Sequence, residues 1–217
     1  MKLTVEETKM VEREALGFFM GKGLKKRKRK GKLTAIDLFC GCGGASLGII
    51  NAGFDVLAGV DLSGMALSTY QYNLGNAVRA DIKHLPFRVD LEIDLLIGCP
   101  PCQGFSRMNK NRETDFYRKQ RMLLQYFALA VEYIKPRLIF FENIPEVLKS
   151  PEFKAMVKFL RFETAPPYEV WYDVLDAADF GVPQHRRRVI LIGKRSDEFW
   201  MTKIVEPEPM SFGGCLK

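Results

Sequence analysis

Short apolar runs alternate with longer segments of helical periodicity from Leu33 onward, and this alternation constrains the fold more than any other feature. The runs are TAIDLF, DVLAGVD, IDLLIG, RLIFFEN, EVWYDVL and RVILIG. Near-continuous apolar strands separated by helical stretches are typical of a mostly parallel sheet covered on both faces. Helices are predicted in four of the gaps, at residues 44–52, 63–73, 117–134 and 151–162. The predicted fold is α/β, with a doubly wound sheet.

The direction of the last strand follows from a short connection. The last two apolar runs are joined by about a dozen residues, which include Pro183. A parallel crossover needs at least that length with a helix in it, so the final strand is predicted to run antiparallel. In such a sheet ligands bind outside the carboxyl ends of the parallel strands, and the residues of chemical interest are expected there.

Charge is concentrated in one segment near the N-terminus. The chain of 217 residues has a formal net charge of +7, and residues 22–32 alone contain eight Lys or Arg and no acid. This run admits three interpretations: a solvated tail, a localisation signal, or an arm that binds nucleic-acid phosphates. In the third, Lys25, Lys26 and Arg27 contact nucleic acid. A short amphipathic helix is predicted before the run, so that residues 1–32 form a helix and basic linker.

Membrane and disulfide architectures are not predicted. No apolar run reaches the roughly 20 residues needed to cross a bilayer, and the N-terminus lacks the apolar stretch of a secretory signal. The five cysteines are too few and too unevenly spaced for a disulfide framework. A cytoplasmic protein with reduced thiols and no membrane partner is expected.

A glycine-rich turn follows the first predicted strand, in DLFCGCGGASLG from Asp37 to Gly48. Gly41, Gly43 and Gly44 permit a tight turn, and the following helix offers free N–H groups at its start. Asp61 ends the second strand about twenty residues later, where an acid commonly binds a ribose, and Asp81 follows a third strand. These acids indicate an adenosine-containing cofactor, either a dinucleotide or S-adenosylmethionine. The missing GxGxxG spacing argues against the dinucleotide, while the glycines alone also suit a purely structural turn.

The stretch GCPPCQGFS, which begins at Gly98, contains two cysteines with three candidate roles. Cys99 and Cys102 have the CxxC spacing of a redox pair. A thioredoxin-like pair, however, lies at the start of a helix in a different arrangement. They also admit a four-thiolate zinc site with Cys40 and Cys42, although CxC spacing suits zinc poorly. The favoured interpretation makes Cys102 a nucleophile and requires no metal.

Two further groups lie at predicted strand ends. Glu142 ends the run RLIFF, in ENIPE, and is interpreted either as an acid for proton transfer or as part of a helix cap. The sequence QHRRR, from Gln184 to Arg188, precedes the last strand. Strand alternation sends Arg186 and Arg188 to the same side, and the group is interpreted either as a recognition element or as a solvated basic edge.

Together these pieces resemble the cytosine-5 methyltransferase family, which modifies cytosine in DNA and, in one branch, in tRNA. The motifs DLFCGCGGASLG, Asp61, ADI, PCQGFS, ENI and QHRRR occur in family order from about Thr34 to Gly193, some three-quarters of the chain. The resemblance implies a Rossmann-like class I methyltransferase fold, with a catalytic domain over residues 33–200. Its cofactor is S-adenosylmethionine, and its substrate partner is DNA.

The resemblance also implies roles for individual residues. Cys102 would be the nucleophile, and Glu142, Arg186 and Arg188 would complete the catalytic group. The nucleic acid would be contacted by Gln103, Ser106 and Gln184. The S-adenosylmethionine pocket would be lined by Phe39, Gly41, Gly43, Gly44, Asp61, Leu62, Asp81, Ile82, Pro101 and Leu123.

The chemistry agrees with these roles. Thiolate addition at cytosine C6 makes C5 nucleophilic enough to take a methyl group, so a difficult step becomes two easier ones. Glu142 at N3 would stabilise the developing charge. Because C5 and C6 are stacked within a duplex, the base must be flipped out, at a cost of a few kcal/mol.

One departure from the family pattern concerns the end of the chain. Family members continue past QHRRR with a target-recognition region and a terminal helix, whereas residues 201–217 look like only the start of that region. A catalytic half that needs a missing or separate second polypeptide is expected, either from a split enzyme or from an interrupted gene. The isolated chain is then expected to bind S-adenosylmethionine weakly and to methylate DNA poorly. A non-catalytic partner subunit and a tRNA methyltransferase are the alternative readings.

Overall fold

The computed structural model describes residues 31–84, 91–105 and 114–197. These residues contain a seven-stranded sheet. Its strands, numbered along the chain, are β1 Thr34–Leu38, β2 Asp55–Asp61, β3 Ala77–Arg79, β4 Leu95–Gly98, β5 Leu138–Asn143, β6 Tyr168–Asp176 and β7 Arg187–Arg195. All six apolar runs form strands, as predicted, and the third strand before Asp81 is also present.

Five α-helices connect these strands within the described residues. They are α1 Gly44–Asn51, α2 Gly64–Asn73, α3 Asp115–Arg121, α4 Leu123–Ile134 and α5 Pro151–Phe162. Short 3-10 turns occupy Ile82–His84, Cys102–Gly104, Pro145–Lys149 and Ala177–Phe180. The prediction of one helix over 117–134 is wrong, because a one-residue turn at Met122 divides it into α3 and α4, although Met122 N–H still donates to the Arg118 carbonyl at 3.1 Å and Tyr126 N–H to the Met122 carbonyl at 3.3 Å.

The strand order is β3-β2-β1-β4-β5-β7-β6. β7 is antiparallel to both of its neighbours, β5 and β6, and the other paired strands are parallel. The predicted antiparallel final strand is therefore confirmed. Strand order reverses between the adjacent strands β1 and β4, which places a topological switch point at their carboxyl ends.

Helices cover the sheet on both faces, which confirms the doubly wound α/β prediction. Side chains of α4 and α5 pack with inward residues such as Ile36 and Leu96 in the larger core cluster. On the opposite face, Ala45 and Ile49 of α1 pack against Ile97. Strand alternation assigns neighbouring residues of β1 and β4 to opposite cores, as a sheet buried on both faces requires.

Several sequence predictions lie outside the described residues. They are the N-terminal helix, most of the basic run with Lys25, Lys26 and Arg27, the position of Ser106, and residues 201–217. Within the described part of the chain, no helix combines the length and apolar character needed to span a membrane.

Candidate active site

The carboxyl ends of the parallel strands carry most of the predicted site residues. The loops after β1, β2, β3, β4 and β5 leave the sheet at this edge. Because β7 runs the other way, its first residues meet the same edge, and QHRRR arrives beside the loop that follows β5. The antiparallel strand thus brings residues that are far apart in sequence to one place.

The glycine turn after β1 is tightly wound and internally hydrogen-bonded. Gly41 and Gly43 have φ angles of 53° and 101°, and Phe39 has a φ of 63°, which is rare for a residue with a side chain. Two N–H groups of the turn itself, which precede the helix, are already bonded. Gly41 N–H donates to Asp61 Oδ2 at 2.9 Å, and Gly43 N–H donates to the Cys40 carbonyl at 2.9 Å.

A cavity of about 240 Å³ opens beside this turn. Seven of the ten residues predicted to bind the cofactor line it, namely Phe39, Asp61, Leu62, Asp81, Ile82, Pro101 and Leu123. The other three are glycines: Gly41 and Gly43 belong to the turn, and Gly44 lines a different cavity. The structure therefore gathers residues from five separate segments of the chain around one space.

The hydrogen-bonding and apolar groups that line this cavity fit S-adenosylmethionine. Asp61 already accepts N–H groups from Gly41 and Ser63, but each of its oxygens has a second lone pair for a ribose hydroxyl. Phe39, Ile82 and Leu123 offer apolar walls to an adenine ring. Asp81 is held by the Lys83 backbone N–H at 3.0 Å and by the Lys83 ammonium at 3.3 Å.

The sequence analysis missed three polar residues that also line this cavity: Lys83, Lys119 and Gln120. The Oε1 of Gln120 is buried, with no hydrogen-bond partner among the described residues, so it can accept a bond from a ligand. Lys119 and Gln120 lie in α3, whose position depends on tertiary packing. No local sequence signal marks them.

A second cavity, of about 510 Å³, adjoins the first. Glu142 and Arg186 line it, together with Phe140 and the small residues of the first turns of α1. Phe39 and Cys99 line both cavities, so the two spaces meet at these side chains. A cofactor and an acceptor base held in adjoining spaces can exchange a group.

Cys102 and Cys99 lie in different environments. Cys102 is partly exposed and begins the 3-10 turn after β4, whereas Cys99 packs with Ile97 and Phe140. Burial, with the charges of Asp37 and Glu142 nearby, raises the pKa of the Cys99 thiol well above its ordinary value. Cys99 therefore stays protonated near neutral pH and is a poor nucleophile.

The described cysteines show neither a disulfide nor a metal arrangement. Cys40, Cys42, Cys99 and Cys102 are free thiols. Among residues 31–84, 91–105 and 114–197, no group of three or more His, Cys, Asp or Glu side chains is placed to hold a metal ion. β1 and β4 are neighbours, as the zinc alternative requires, but their cysteines do not converge.

The turn that contains Cys102 is backed by α3. A Cβ atom on Gly104 would lie 2.9 Å from Arg121 Cγ and 3.0 Å from the Tyr117 carbonyl oxygen. Arg121 Nε in turn donates to Glu152 Oε1 at 3.0 Å, which ties α3 to the start of α5. The last residue of PCQG is therefore a glycine because helix and loop approach too closely for any side chain.

Glu142 pairs with Arg188 across the sheet. Glu142 Oε1 lies 2.9 Å from Arg188 Nε, and each side chain is about a quarter exposed, at 27% and 23%. Arg186 lines the same cavity as Glu142, so both arginines lie near this acid. A substrate in the cavity would meet the Glu142 carboxylate and the Arg186 guanidinium, with Arg188 paired to the carboxylate.

The loop that presents Arg186 is closed by Asp176, which the sequence analysis did not single out. Asp176 Oδ1 accepts the backbone N–H of Ala178 at 3.1 Å and that of Arg186 at 2.9 Å, and Oδ2 lies 3.1 Å from His185 Nδ1. The two backbone hydrogen bonds hold the pKa of Asp176 below its ordinary value. Gln184 is exposed on the same loop.

Asn143 links the end of β5 to the loop that follows β4. It is 1% exposed, its Nδ2 donates to the Pro100 carbonyl at 3.0 Å, and its Oδ1 accepts the Ile144 N–H at 2.9 Å. The asparagine of ENI thus fixes the backbone that leads to Cys102 relative to the strand that carries Glu142. The sequence alone suggested only a helix cap at this position.

Replacing Asn143 by alanine is expected to lower the free energy of unfolding by about 1–3 kcal/mol, because the buried Pro100 carbonyl loses its partner. Urea unfolding measures the loss. The matched control is Asn73→Ala, which removes an exposed side-chain hydrogen bond to Thr69 and should cost less than about 0.5 kcal/mol. Equal losses in the two variants would show that Asn143 is not an anchor.

A buried polar chain lies beneath the glycine turn. Asp37 is fully buried, and its Oδ2 accepts a hydrogen bond of 2.6 Å from Ser46. Ser46 Oγ also lies 3.0 Å from the Tyr70 hydroxyl. Burial is the main cause that raises the pKa of Asp37 to about 7, from an ordinary value of 3.8. Its Oδ1 has no partner among the described residues.

The raised pKa of Asp37 predicts how stability depends on pH. The unfolded chain ionises Asp37 from about pH 4, whereas the folded chain does so only near pH 7, so the contribution of this residue to stability is fully present below pH 4 and is lost as pH rises to 7. The loss is on the order of 4 kcal/mol. Asp37→Asn should remove it and should therefore be more stable than wild type at pH 8. Urea unfolding at pH 5 and pH 8 measures this, and a constant difference between the two proteins would contradict it.

Comparison with known proteins places this arrangement among DNA methylases. A family model described as C-5 cytosine-specific DNA methylase matches residues 33–211. The Type II methyltransferase M.AgeI of Thalassovita gelatinovora is 32% identical over 192 residues, which are 84% of this chain and 43% of that protein. M.AquIA of Picosynechococcus is 34% identical over 178 residues, 74% of this chain and 71% of that protein.

Solved structures agree. A DNA modification methyltransferase encoded within an Escherichia coli prophage is similar with a TM-score of 0.63 and 30% identity, over 81% of this chain and 52% of that one. The S. pombe Dnmt2 methyltransferase matches with a TM-score of 0.55 at 20% identity, which supports the fold alone. The chain spans about half the length of most of the curated relatives it matches.

Proposed function

The chain belongs to the C-5 cytosine-specific DNA methylase family, and from that premise we propose that it transfers a methyl group from S-adenosylmethionine to C5 of cytosine in DNA. One observation carries the proposal. The cavity with the acids Asp61 and Asp81 meets the cavity with Glu142 and Arg186 at shared side chains. A methyl donor and a target base in these spaces would be neighbours, with Cys102 at the same edge of the sheet.

The proposed reaction begins with the Cys102 sulfur. Its thiolate adds to C6 of the flipped-out base while Glu142, in its protonated form, gives its proton to N3, so that C5 becomes nucleophilic. S-adenosylmethionine bound in the smaller cavity would supply an electrophilic methyl group to C5 and would leave as S-adenosylhomocysteine. Loss of the C5 proton to water, with return of the N3 proton to Glu142, then expels the thiolate and restores the aromatic ring. Arg188 keeps Glu142 in place through the ion pair of 2.9 Å.

We assign cofactor binding to the residues around the smaller cavity. Asp61 would accept hydrogen bonds from the ribose hydroxyls, and Asp81 would accept one from the adenine amino group. Phe39 and Leu123 would flank the adenine ring. The glycines at 41, 43 and 44 would allow the backbone to approach the cofactor. Gln120 adds an acceptor to this set because its buried Oε1 has no partner among the described residues.

We assign recognition of the target DNA sequence to a polypeptide segment outside these 217 residues. The support is the share of the relatives that the chain covers, which is 43% of M.AgeI and 40% of M.XorII. Either the same polypeptide continues or a second one supplies the rest. M.AquIA shows that a short family member exists, because its match makes up 71% of it.

Contacts to DNA are proposed for Gln103 and Ser106 after the nucleophile, for Gln184, and for the basic residues Lys25, Lys26 and Arg27. Gln103 and Gln184 are exposed at the catalytic edge. A restriction–modification setting is supported by relatives named as Type II methyltransferases, and a cytoplasmic location is proposed with it.

Transfer of tritiated methyl groups from S-adenosylmethionine tests this function. The substrates are unmethylated bacterial DNA and unmodified tRNA, and the chain is assayed alone and with the polypeptide encoded next to it. Incorporation into DNA that yields 5-methylcytosine is expected, with most activity when both polypeptides are present. Label in tRNA alone would overturn DNA as substrate. Wild-type rates for a pair that carries Cys102→Ser would show that this chain is a non-catalytic partner.

A further inference from the structure

Tyr70 of α2 is buried against Gly59 of β2 and against the glycine turn that follows β1. It is 1% exposed. A Cβ atom added to Gly59 of β2 would lie 2.1 Å from the Tyr70 ring carbon Cζ, and one added to Gly43 would lie 3.1 Å from Tyr70 Cδ2. The ring therefore occupies the space of a missing side chain on β2 and lies directly against the end of the glycine turn.

The hydroxyl of Tyr70 begins a hydrogen-bonded chain. Ser46 donates its only hydroxyl proton to Asp37 at 2.6 Å, so across the 3.0 Å contact Tyr70 donates to Ser46. The chain joins three elements: Tyr70 lies in α2, Ser46 in α1 and Asp37 in β1. All three residues are buried, where such bonds are stronger than in water.

These bonds span the glycine turn from one side to the other. Asp37 precedes the turn by two residues and Ser46 follows it by two, if the turn is taken as residues 39–44. Within it, Phe39 lines both cavities in a sparsely populated left-handed conformation. Such a conformation persists only where the surrounding structure holds it in place.

We propose that Tyr70 is a positioning residue for the cofactor and that it holds the glycine turn in place. Its ring packs on Gly43 and Gly59. Its hydroxyl bonds to Ser46, which in turn bonds to Asp37. The inference rests on the proposed binding of S-adenosylmethionine at this turn. Tyr70 does not line either cavity, so it acts through Phe39 and the turn backbone and not by contact with the ligand.

The alternative is a tyrosine that only fills the core. Tyr168 provides a matched control, because it is also buried, at 4% exposed, and its hydroxyl donates to the Pro136 carbonyl at 2.7 Å. It lies in β6, at the far edge of the sheet from the glycine turn. Tyr70→Phe and Tyr168→Phe each keep the ring and lose one buried hydrogen bond.

Two readouts separate positioning from packing. The first is the dissociation constant of S-adenosylhomocysteine, measured by calorimetry. The sample is the chain, together with the polypeptide encoded next to it where methyl transfer requires both. Tyr70→Phe is expected to weaken binding about fivefold, and Tyr168→Phe by less than about 1.5-fold. The second is amide hydrogen exchange of Gly41 and Gly43, whose N–H groups donate to Asp61 and to the Cys40 carbonyl. Tyr70→Phe should speed their exchange about fivefold relative to Ile97 of the core, and Tyr168→Phe should not.

A double-mutant cycle tests the hydrogen-bonded chain itself. Ser46→Ala removes both hydrogen bonds of Ser46 and should weaken binding at least as much as Tyr70→Phe, and the double variant should be little weaker than Ser46→Ala, since the Tyr70 hydroxyl acts through Ser46. Multiplicative losses, or wild-type binding and exchange in Tyr70→Phe, would overturn the inference and leave the proposed function standing. Wild-type protein that does not bind S-adenosylhomocysteine would overturn the proposed function, and the inference with it.

Discussion

Replacing Cys102 by serine is expected to lower methyl transfer at least about 10³-fold, because a hydroxyl cannot supply the nucleophile that the C6 addition requires. The variant should still fold and bind S-adenosylhomocysteine, since Cys102 is partly exposed and does not line the cofactor cavity. Initial rates of tritium transfer to DNA measure the effect in the assembly that is active with wild-type chain.

Cys99→Ser is the matched control for this prediction. It lies three residues away in the same loop, and its raised pKa keeps it a thiol. Its rate should stay within about threefold of wild type. A loss in Cys99→Ser as large as that in Cys102→Ser would contradict the assignment of separate roles to the two cysteines.

A methyl group on Gly98 should be strongly damaging to stability. A Cβ atom there would lie 2.3 Å from Phe127 Cε2 and 2.6 Å from Cδ2, and Phe127 is fully buried in the main core. Gly98→Ala is therefore expected to lower the free energy of unfolding by about 2–3 kcal/mol. Because Gly98 directly precedes the loop with Cys102, methyl transfer should fall as well. Urea unfolding measures the stability change.

Two comparisons show whether the ring of Phe127 causes this loss. Gly48→Ala, in α1, places its Cβ in open space and should stabilise the protein by about 0.5–1 kcal/mol through helix propensity. In a Phe127→Leu background, Gly98→Ala should cost much less than in wild type, since the smaller side chain leaves room. An unchanged cost in that background would contradict the packing argument.

The parts of this protein that sequence could predict are those set by local pattern. Strand positions follow from apolar runs, and the antiparallel direction of β7 follows from the short connection before it. The alternation within β7 placed Arg186 and Arg188 on one side, where the structure brings both beside Glu142. The resemblance to family motifs predicted seven of the residues that line the smaller cavity.

The parts that sequence could not predict depend on contacts between distant segments. Asn143 bonds to the carbonyl of Pro100, 43 residues away, and Tyr70 fills the space above Gly59 on another element. Neither contact leaves a periodic or local signal. The break at Met122 also escaped, because the apolar pattern continues through it and only the backbone angle changes.

Trapping on DNA that contains 5-fluorocytosine tests the central claim most directly. Fluorine at C5 cannot leave as a proton does, so methyl transfer should leave the enzyme bound to C6 of the base. With S-adenosylmethionine and the complete assembly, a covalent complex is expected, and tandem mass spectrometry of its peptides should place the nucleotide on Cys102. Cys102→Ser should give none. A nucleotide attached to Cys99, or wild-type 5-methylcytosine formation by an assembly whose chain carries Cys102→Ser, would contradict the account.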